Sequence, residues 1–512
     1  MATVVEIAIL ALAVWPALRL LSIPPFRREY TRVAWCVGGV LLLYASVVSC
    51  IAIFVPVLLH PLAAIATVAL IAERWRARPS YGRSRGLPPG SLAVFPRGPW
   101  VDERFYRRET ERWGPIFKSS LLHRPLVCIL GARLGGELLR AHPNDLEAPR
   151  VRFNRFIPKG FLRYMEPEDH VFYKQQFRSL FGSAVLEQIE PALQQVVREA
   201  LMRLADESAR HPATGVAPRP ALREIVFELL VAAFFGLRSD ADDFQWLRAR
   251  YEELDLRKVT FASESRDREA LAAIEEWLRT RSRALREARG RGTDAIPCFL
   301  ATLLEARPDA LDDETTLGNL VYALTIARAD LTALLVWILK QLGDAPEWTE
   351  RLREAARSDS RASAHALAWS IVRETLRVEQ SEFIYRRAKR EIRFRGFAIP
   401  RGWRVRVLIR EGHRDPEHFP EPDRFDPARW LGPEPPGAHF QPFGIGAHAC
   451  IGAPLTEALT SLVLIELGRG FDWRIVRDGP REYGWAHWQP SSKLRIALTP
   501  AGHPAPRLGG PA

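Results

Sequence analysis

The chain of 512 residues is 47% hydrophobic and carries 72 Lys and Arg against 60 Asp and Glu, a formal charge of +12. Length and apolar content suffice for a large buried core, while the basic excess, almost all arginine, is scattered without the aromatic-interleaved patch of a nucleic-acid binder. Five cysteines, at 36, 50, 128, 298 and 450, share no ligand spacing, which excludes a disulfide scaffold and fits a reducing compartment.

Residues 4 to 23 form a first apolar stretch, interrupted by Glu6, Pro16 and Arg19, expected to be a membrane span rather than an interfacial helix. A cleaved signal peptide would need a positive leading end, which is missing. From Val33 to Ala72 no Asp, Glu, Lys or Arg occurs. Forty such residues exceed one bilayer crossing and predict a helical hairpin bent around Pro56, His60 and Pro61. Basic clusters at Arg27, Arg28 and Arg32, and at Arg74, Arg76, Arg78, Arg83 and Arg85, put everything after residue 73 on the cytoplasmic side by the positive-inside rule. Leu87-Pro88-Pro89-Gly90 reads as a stiff hinge, dividing an anchor over residues 1–86 from a globular part over 87–512.

In the globular part, a helix is expected over 100 to 113, ended by Trp113-Gly114-Pro115, followed by strands near Pro115 to Leu121 and Pro125 to Leu130. From Asp169 to about Leu339 the pattern is largely helical, with amphipathic segments at 185–207, 219–236, 240–257 and 264–289. Thr316 to Leu342 is apolar nearly all round and predicts a long helix through the middle of the fold. Between Glu391 and Ile409 the period becomes two, with Trp403, Val405, Val407 and Ile409 alternating with Arg404, Arg406 and Leu408 after a turn at Pro400-Arg401-Gly402. The fold class is mainly α with a smaller β region, without an internal repeat or second domain.

The most informative stretch is Phe443-Gly444-Ile445-Gly446-Ala447-His448-Ala449-Cys450-Ile451-Gly452, with a helical run from Pro454 to Leu467 behind it. Glycines let the backbone approach a sulfur closely, and a helix N-terminus favours its thiolate form. Phe443 would screen one side of it from water. This loop resembles the haem-binding loop of the cytochrome P450 family, Phe-x-x-Gly-x-[Arg or His]-x-Cys-x-Gly, with every fixed position filled. The resemblance implies a cytochrome P450 fold behind a transmembrane helical anchor, with Cys450 as the axial ligand of the iron of haem b. Gly444 and Gly446 shape the loop. The propionates would be met by His448, by Arg386 of Arg386-Arg387-Ala388, and by His170 and Lys174 four apart on an early helix. Lys174 stands where arginine is usual and lacks its planar fork.

Glu374-Thr375-Leu376-Arg377 matches the family's Glu-x-x-Arg, whose i to i+3 spacing puts both side chains on one helical face. Pro422-Asp423-Arg424-Phe425 matches the segment that supplies this pair with a second arginine, so Glu374, Arg377 and Arg424 are expected to form a structural ion-pair network. On the central helix the chain reads Ala327-Arg328-Ala329-Asp330-Leu331-Thr332, where oxygen-activating members commonly have a glycine and an acid followed by an alcohol. Asp330 falls on the acid position, Leu331 replaces the alcohol and Arg328 the glycine. Asp330 and Thr332 are the candidate catalytic residues. Burying an acid on an apolar helix is costly, so Asp330 is expected either to relay protons or to pair with an arginine.

By resemblance, the substrate-facing segments are 150–165, 225–260, Tyr322 to Leu331, Val378 to Tyr385 and 484–492. Glu379, Gln380, Ser381 and Glu382 are their polar members, and Phe383, Tyr385, Trp485 and Trp488 their aromatic ones. The implied activity is monooxygenation of a lipophilic small molecule with dioxygen and two electrons. Those electrons would come from a separate ferredoxin or flavoprotein reductase, since the chain holds neither portion. Membrane lipid is a further expected partner and nucleic acid is not. The arginine and alanine bias fits a GC-rich genome; the source is expected to be bacterial, in which case the membrane is the cell inner membrane. Two alternatives stay open: a P450-like isomerase, dehydratase or peroxygenase without the usual acid-alcohol relay, and a haem sensor or scaffold without turnover.

Overall fold

The computed structural model describes residues 2–502, apart from 16, 17, 19–30, 94–97, 122–123, 149–155, 255–263, 291–296, 380–382, 433–436 and 485–486. Expectations placed on Pro16, Arg19, Arg27, Arg28, Gln380, Ser381, Glu382 and Trp485 lie outside the described residues. At the N-terminus, α1 (Ala2–Ala13), α2 (Thr31–Phe54) and α3 (Leu59–Arg76) are helical, and a 3-10 turn over Pro56–Leu58 joins the last two where the prolines were expected to bend the chain. None of the apolar window Val37–Phe54 is buried, and only 17% of Pro56–Arg76 is. The equally long and apolar helices further on are 67% and 56% buried, because they are core rather than lipid-facing. This contrast marks α2 and α3 as membrane-associated. Over its described residues α1 docks on the hairpin: Leu10 packs with Leu59 and Ala66, Tyr44 donates to the Leu10 carbonyl at 3.2 Å, and the Glu6 carboxylate meets His60 Nδ1.

The Leu87-Pro88-Pro89-Gly90 segment is stitched to the globular part. Strand β1 (Ile116–Leu121) carries the fully buried Lys118, whose Nζ donates to the carbonyls of Pro79 and Pro88, each at 2.8 Å, and whose backbone N–H donates to Pro89 O at 2.7 Å. Gly90 sits at φ +115°, and a Cβ there would lie 2.1 Å from the Lys118 carbonyl oxygen.

The helix expected over 100–113 is split into a helical turn over Gly98–Val101 and helix α4 (Phe105–Trp113), which ends at Gly114 as expected, and β1 pairs antiparallel with β2 (Arg124–Leu130). After α5 (Gly131–Ala141) comes β3 (Leu146–Glu147), and the remaining strands of this sheet are β4 (Ile384–Ala388) and β7 (Arg404–Leu408). Their order is β1-β2-β7-β4-β3, with β2 and β7 parallel and β4 antiparallel to β7. Between β4 and β7, β5 (Ile392–Phe394) and β6 (Phe397–Ile399) form a hairpin, so the period-two stretch is two short strands plus β7, and Ile409 starts a helical turn.

The helical layer comprises α6 (Pro167–Leu180), α7 (Ser183–Arg210), α8 (Pro218–Phe235), α9 (Asp242–Glu253), α10 (Glu264–Gly290), α11 (Glu314–Asp344), α12 (Arg361–Val378) and α13 (Ala453–Gly470). As its uniform apolarity predicts, α11 runs through the core, packed by α8, α10, α12 and α13. The main apolar cluster unites these helices with β8 (Phe471–Arg477) and β11 (Arg495–Pro500), while β9 (Glu482–Tyr483) and β10 (Trp488–Gln489) form a separate hairpin.

Gly90→Ala should destabilise the globular part by on the order of 2 kcal/mol, because backbone oxygen cannot move aside as a flexible side chain can. Thermal unfolding of the detergent-solubilised variant measures it. An unchanged midpoint would mean that the segment does not lie against β1.

Candidate active site

The cysteine loop is built by short-range backbone hydrogen bonds. Cys450 donates its N–H to Phe443 O at 2.7 Å, Ala449 to Gly446 O at 3.0 Å and Gly444 to Gln441 O at 3.2 Å. Closing so tight a turn takes positive φ, which Gly444 at +84° and Gly446 at +69° supply. Phe443 is partly buried against the main core, and Gly452 caps α13 where its missing side chain keeps space 3.7 Å from Cys450 Sγ. Cys450 itself is exposed, two residues before that cap, where the dipole of an 18-residue helix favours a thiolate.

Basic side chains gather beside this sulfur. The rings of His170, from α6, and His448 lie 4.1 Å apart, and Arg386 reaches the same place from β4. Among the described residues, the groups that disfavour protonation of His448 are all bases: His170, Arg386, Lys174 and Arg163. Burial first, and these neighbours second, hold the His448 pKa down to about 3 and that of His170 to about 4. Burial and Arg163 lower Arg386 to about 10. Among the described residues, His448 Nδ1 is buried without a hydrogen-bond partner. Two neutral imidazoles beside the partly buried Arg386 and Lys174, with Cys450 the acid that acts on Lys174, make a site that suits an anion from outside the chain. A dianionic haem beside an exposed thiol fits these residues.

Lys174 reaches the cysteine loop directly. Its Nζ donates to Ala449 O at 2.8 Å and to Ala447 O, so in this structure it ties α6 to the cysteine loop. Arg163, in a short turn over Leu162–Tyr164, was not singled out by sequence, where it is one arginine among many.

Glu374 and Arg377, near the end of α12, are fully buried and paired twice, Nε to Oε2 at 2.9 Å and Nη2 to Oε1 at 2.8 Å. The expected third member is different. Arg424 is 62% exposed and pairs with Glu421, contributing to Arg377 only its backbone carbonyl, at 3.0 Å. Arg429 Nε reaches Glu374 Oε1 instead, at 3.3 Å, joined by the Trp430 indole N–H at 3.0 Å and the Asp426 backbone N–H at 2.8 Å. Pro422-Asp423-Arg424-Phe425 and Pro427-Ala428-Arg429-Trp430 repeat the same Pro-x-Arg-aromatic pattern five residues apart. The second copy carries a usable indole donor, a signal that could have selected it.

The central helix also reads differently in three dimensions. Asp330 is exposed, so the cost of burying an acid does not arise there. It lies with Ala323, Ile326 and Ala327 along the incompletely covered stripe of α11. The buried charge is Arg328, 5% exposed, whose Nη2 donates to Glu252 Oε1 of α9 at 2.5 Å and to Glu224 Oε1 of α8 at 3.5 Å, with its guanidinium 4.5 Å from the Phe227 ring. Thr332 is buried and donates its hydroxyl to the Arg328 carbonyl at 2.6 Å, so the two candidate relay residues point apart.

Among the segments expected to face substrate, several side chains are engaged elsewhere. Glu379 is buried, bonded twice to Arg481 at 2.8 and 3.0 Å and to Gln341 of α11 at 2.8 Å. Phe383 and Tyr385, with Tyr106, enclose the guanidinium of Arg406 at 4.4 to 5.2 Å. Arg406 is 2% exposed, against its outward place in the alternation, because this face of the sheet is covered by α4. Trp488 packs edge-on against Tyr483.

The architecture and the thiol-and-cation site together define a haem-thiolate protein. The family model for cytochrome P450 matches residues 88–489, and the chain belongs to that family. It is 28% identical over 431 residues to abscisic acid 8'-hydroxylase 3 of Oryza sativa subsp. indica, covering 77% of this chain and 83% of that protein. To abscisic acid 8'-hydroxylase 2 of Arabidopsis thaliana it is 25% identical over 453 residues, covering 81% and 90%. Among solved structures, the retinoic acid bound cyanobacterial CYP120A1 superposes with a TM-score of 0.63 at 22% identity, covering 79% of this chain and 95% of that one. The protein is thus a cytochrome P450 monooxygenase, an oxidoreductase. Its curated relatives named here are plant proteins and lend no support to the expected bacterial source.

Arg429→Ala should cost about 1 to 3 kcal/mol in chemical denaturation, since it leaves part of a buried carboxylate short of donors, whereas Arg424→Ala should stay within about 0.5 kcal/mol. Equal costs would return Arg424 to the network.

Proposed function

We propose that Cys450 is the thiolate ligand of haem b and that the chain hydroxylates a lipophilic small molecule delivered through the membrane. Supporting this most strongly is the exposed Cys450 at the head of α13 beside His170, Arg386, Lys174, Arg163 and His448. When bound, haem supplies dioxygen activation: one oxygen atom enters the substrate and the other leaves as water, with two electrons and two protons consumed. Arg386, Arg163, His170 and His448 hold the propionates, while Lys174 braces the loop carbonyls. Bringing the propionates beside the histidines raises their affinity for a proton.

Asp330, exposed on α11, passes protons from solvent toward the site. With Leu331 in the usual alcohol position and the Thr332 hydroxyl bonded to backbone, the second relay member is an ordered water or a hydroxyl of the substrate. The abscisic acid relatives point to a ring-bearing carboxylic acid as the substrate class to test first. Electrons come from a separate ferredoxin or flavoprotein reductase. The arginines at the end of α3 favour a cytoplasmic catalytic part, on an inner membrane if the source is bacterial.

The test is turnover of the haem-loaded, lipid-reconstituted chain with a surrogate reductase. Product should form with consumption of reduced nicotinamide. Cys450→Ser should abolish the thiolate signature of the reduced carbon-monoxide complex, and Asp330→Asn should slow turnover by about tenfold or more. A retained signature in Cys450→Ser refutes the ligand assignment. Product from peroxide alone would move the chain to the peroxygenase reading that Leu331 keeps open.

A further inference from the structure

One fully buried histidine in this region has no part in holding the cofactor. His413 follows the helical turn Ile409–Gly412, and its backbone carbonyl accepts Arg377 Nη1 at 3.0 Å. Its side chain faces the other way, where Nε2 accepts the backbone N–H of Gln441 at 3.0 Å. Phe440 packs over the ring at 5.0 Å between centroids, and Phe419 meets it at 6.1 Å. Gln441 then passes the constraint on: its carbonyl accepts Gly444 N–H, and two residues later Phe443 O accepts Cys450 N–H.

A backbone N–H can only donate, so Nε2 must offer a lone pair, and the ring is neutral with its proton on Nδ1. Burial and the neighbouring Arg377 guanidinium both disfavour protonation, holding the pKa near 3, in agreement with this tautomer. A buried histidine is commonly just a satisfied core residue. Here the atom it bonds belongs to the segment that turns into the cysteine loop, and the residue on its other side belongs to the Glu374–Arg377 pair.

We propose that His413 is a positioning residue for the thiolate loop, its neutral imidazole holding the Gln441 amide and thereby the turn that carries Cys450. This rests on Cys450 being the axial ligand. Outer groups of this kind change the properties of a metal site by about 10-fold to 100-fold when removed.

His413→Phe keeps a ring between Phe440 and Phe419 but deletes the acceptor, and His413→Asn restores a shorter one. In the haem-loaded full chain, His413→Phe should retain its far-ultraviolet dichroism. It should lose haem about tenfold faster, shift the midpoint potential, and raise the share of carbon-monoxide complex without thiolate character. His413→Asn should recover at least part of each change. In the wild-type protein the Gln441 amide should exchange with solvent at least about tenfold more slowly than exposed loop amides. Wild-type haem loss, potential and thiolate share in His413→Phe would overturn the proposal. So would fast exchange of the wild-type Gln441 amide, which can be measured even if the variant fails to fold. Cys450→Ser separates the two readings: if it keeps the thiolate signature the ligand assignment is at fault, and if it loses it while His413→Phe is silent, only this proposal fails.

Discussion

A single carboxylate organises the region around the cysteine. Glu374 is fully buried and, among the described residues, accepts five hydrogen bonds: two from Arg377 and one each from Arg429, Trp430 and the Asp426 backbone. A charge removed from water is tolerable only when every lone pair is met. That requirement draws the 422–430 segment around the end of α12. Arg377 adds the carbonyls of His413, Pro422 and Arg424 to the same knot. The cost of breaking any of these bonds makes one arrangement of a strand-poor region unique, although the pair itself touches no reacting atom.

Next to this neutralised knot lies a deliberate imbalance. His170, Lys174, Arg386, Arg163 and His448 converge without an acid among the charges acting on His448. The chain reduces the repulsion by keeping both imidazoles neutral and by turning Lys174 onto the carbonyls of Ala447 and Ala449. Such a nest is stable in proportion to the anion it receives, which links folding of the site to occupation by the cofactor. The positive field also acts on Cys450, where it and the N-terminus of α13 favour the thiolate.

Much of this was legible in the residues. Cys450 with its glycines, Glu374 with Arg377, and the apolar hairpin each depend on local spacing. Local spacing survives folding, as the pairing at 2.8 and 2.9 Å shows. The errors share one cause. Arg424 and Arg429 stand in the same local pattern, and only the path of the loop over α12 decides which side chain meets Glu374. On α11 the buried charge proved to be Arg328 rather than Asp330, because Glu252 and Glu224 approach from α9 and α8. Phe383 and Tyr385 surround Arg406, a contact set by the pairing of β4 with β7.

What the amino-acid order determined alone is therefore the chemistry available: a thiol in a glycine turn, an acid and a base one helical turn apart, and two apolar helices with no core to cover them. Each follows from interactions between residues close in sequence, or from the plain cost of wetting apolar surface. Which arginine completes the buried network, which charge on the central helix is hidden, and which cations surround the sulfur were decided only when distant segments packed together. Desolvation makes the worth of a charge depend on every neighbour it gains, and those neighbours come from elements far apart along the chain.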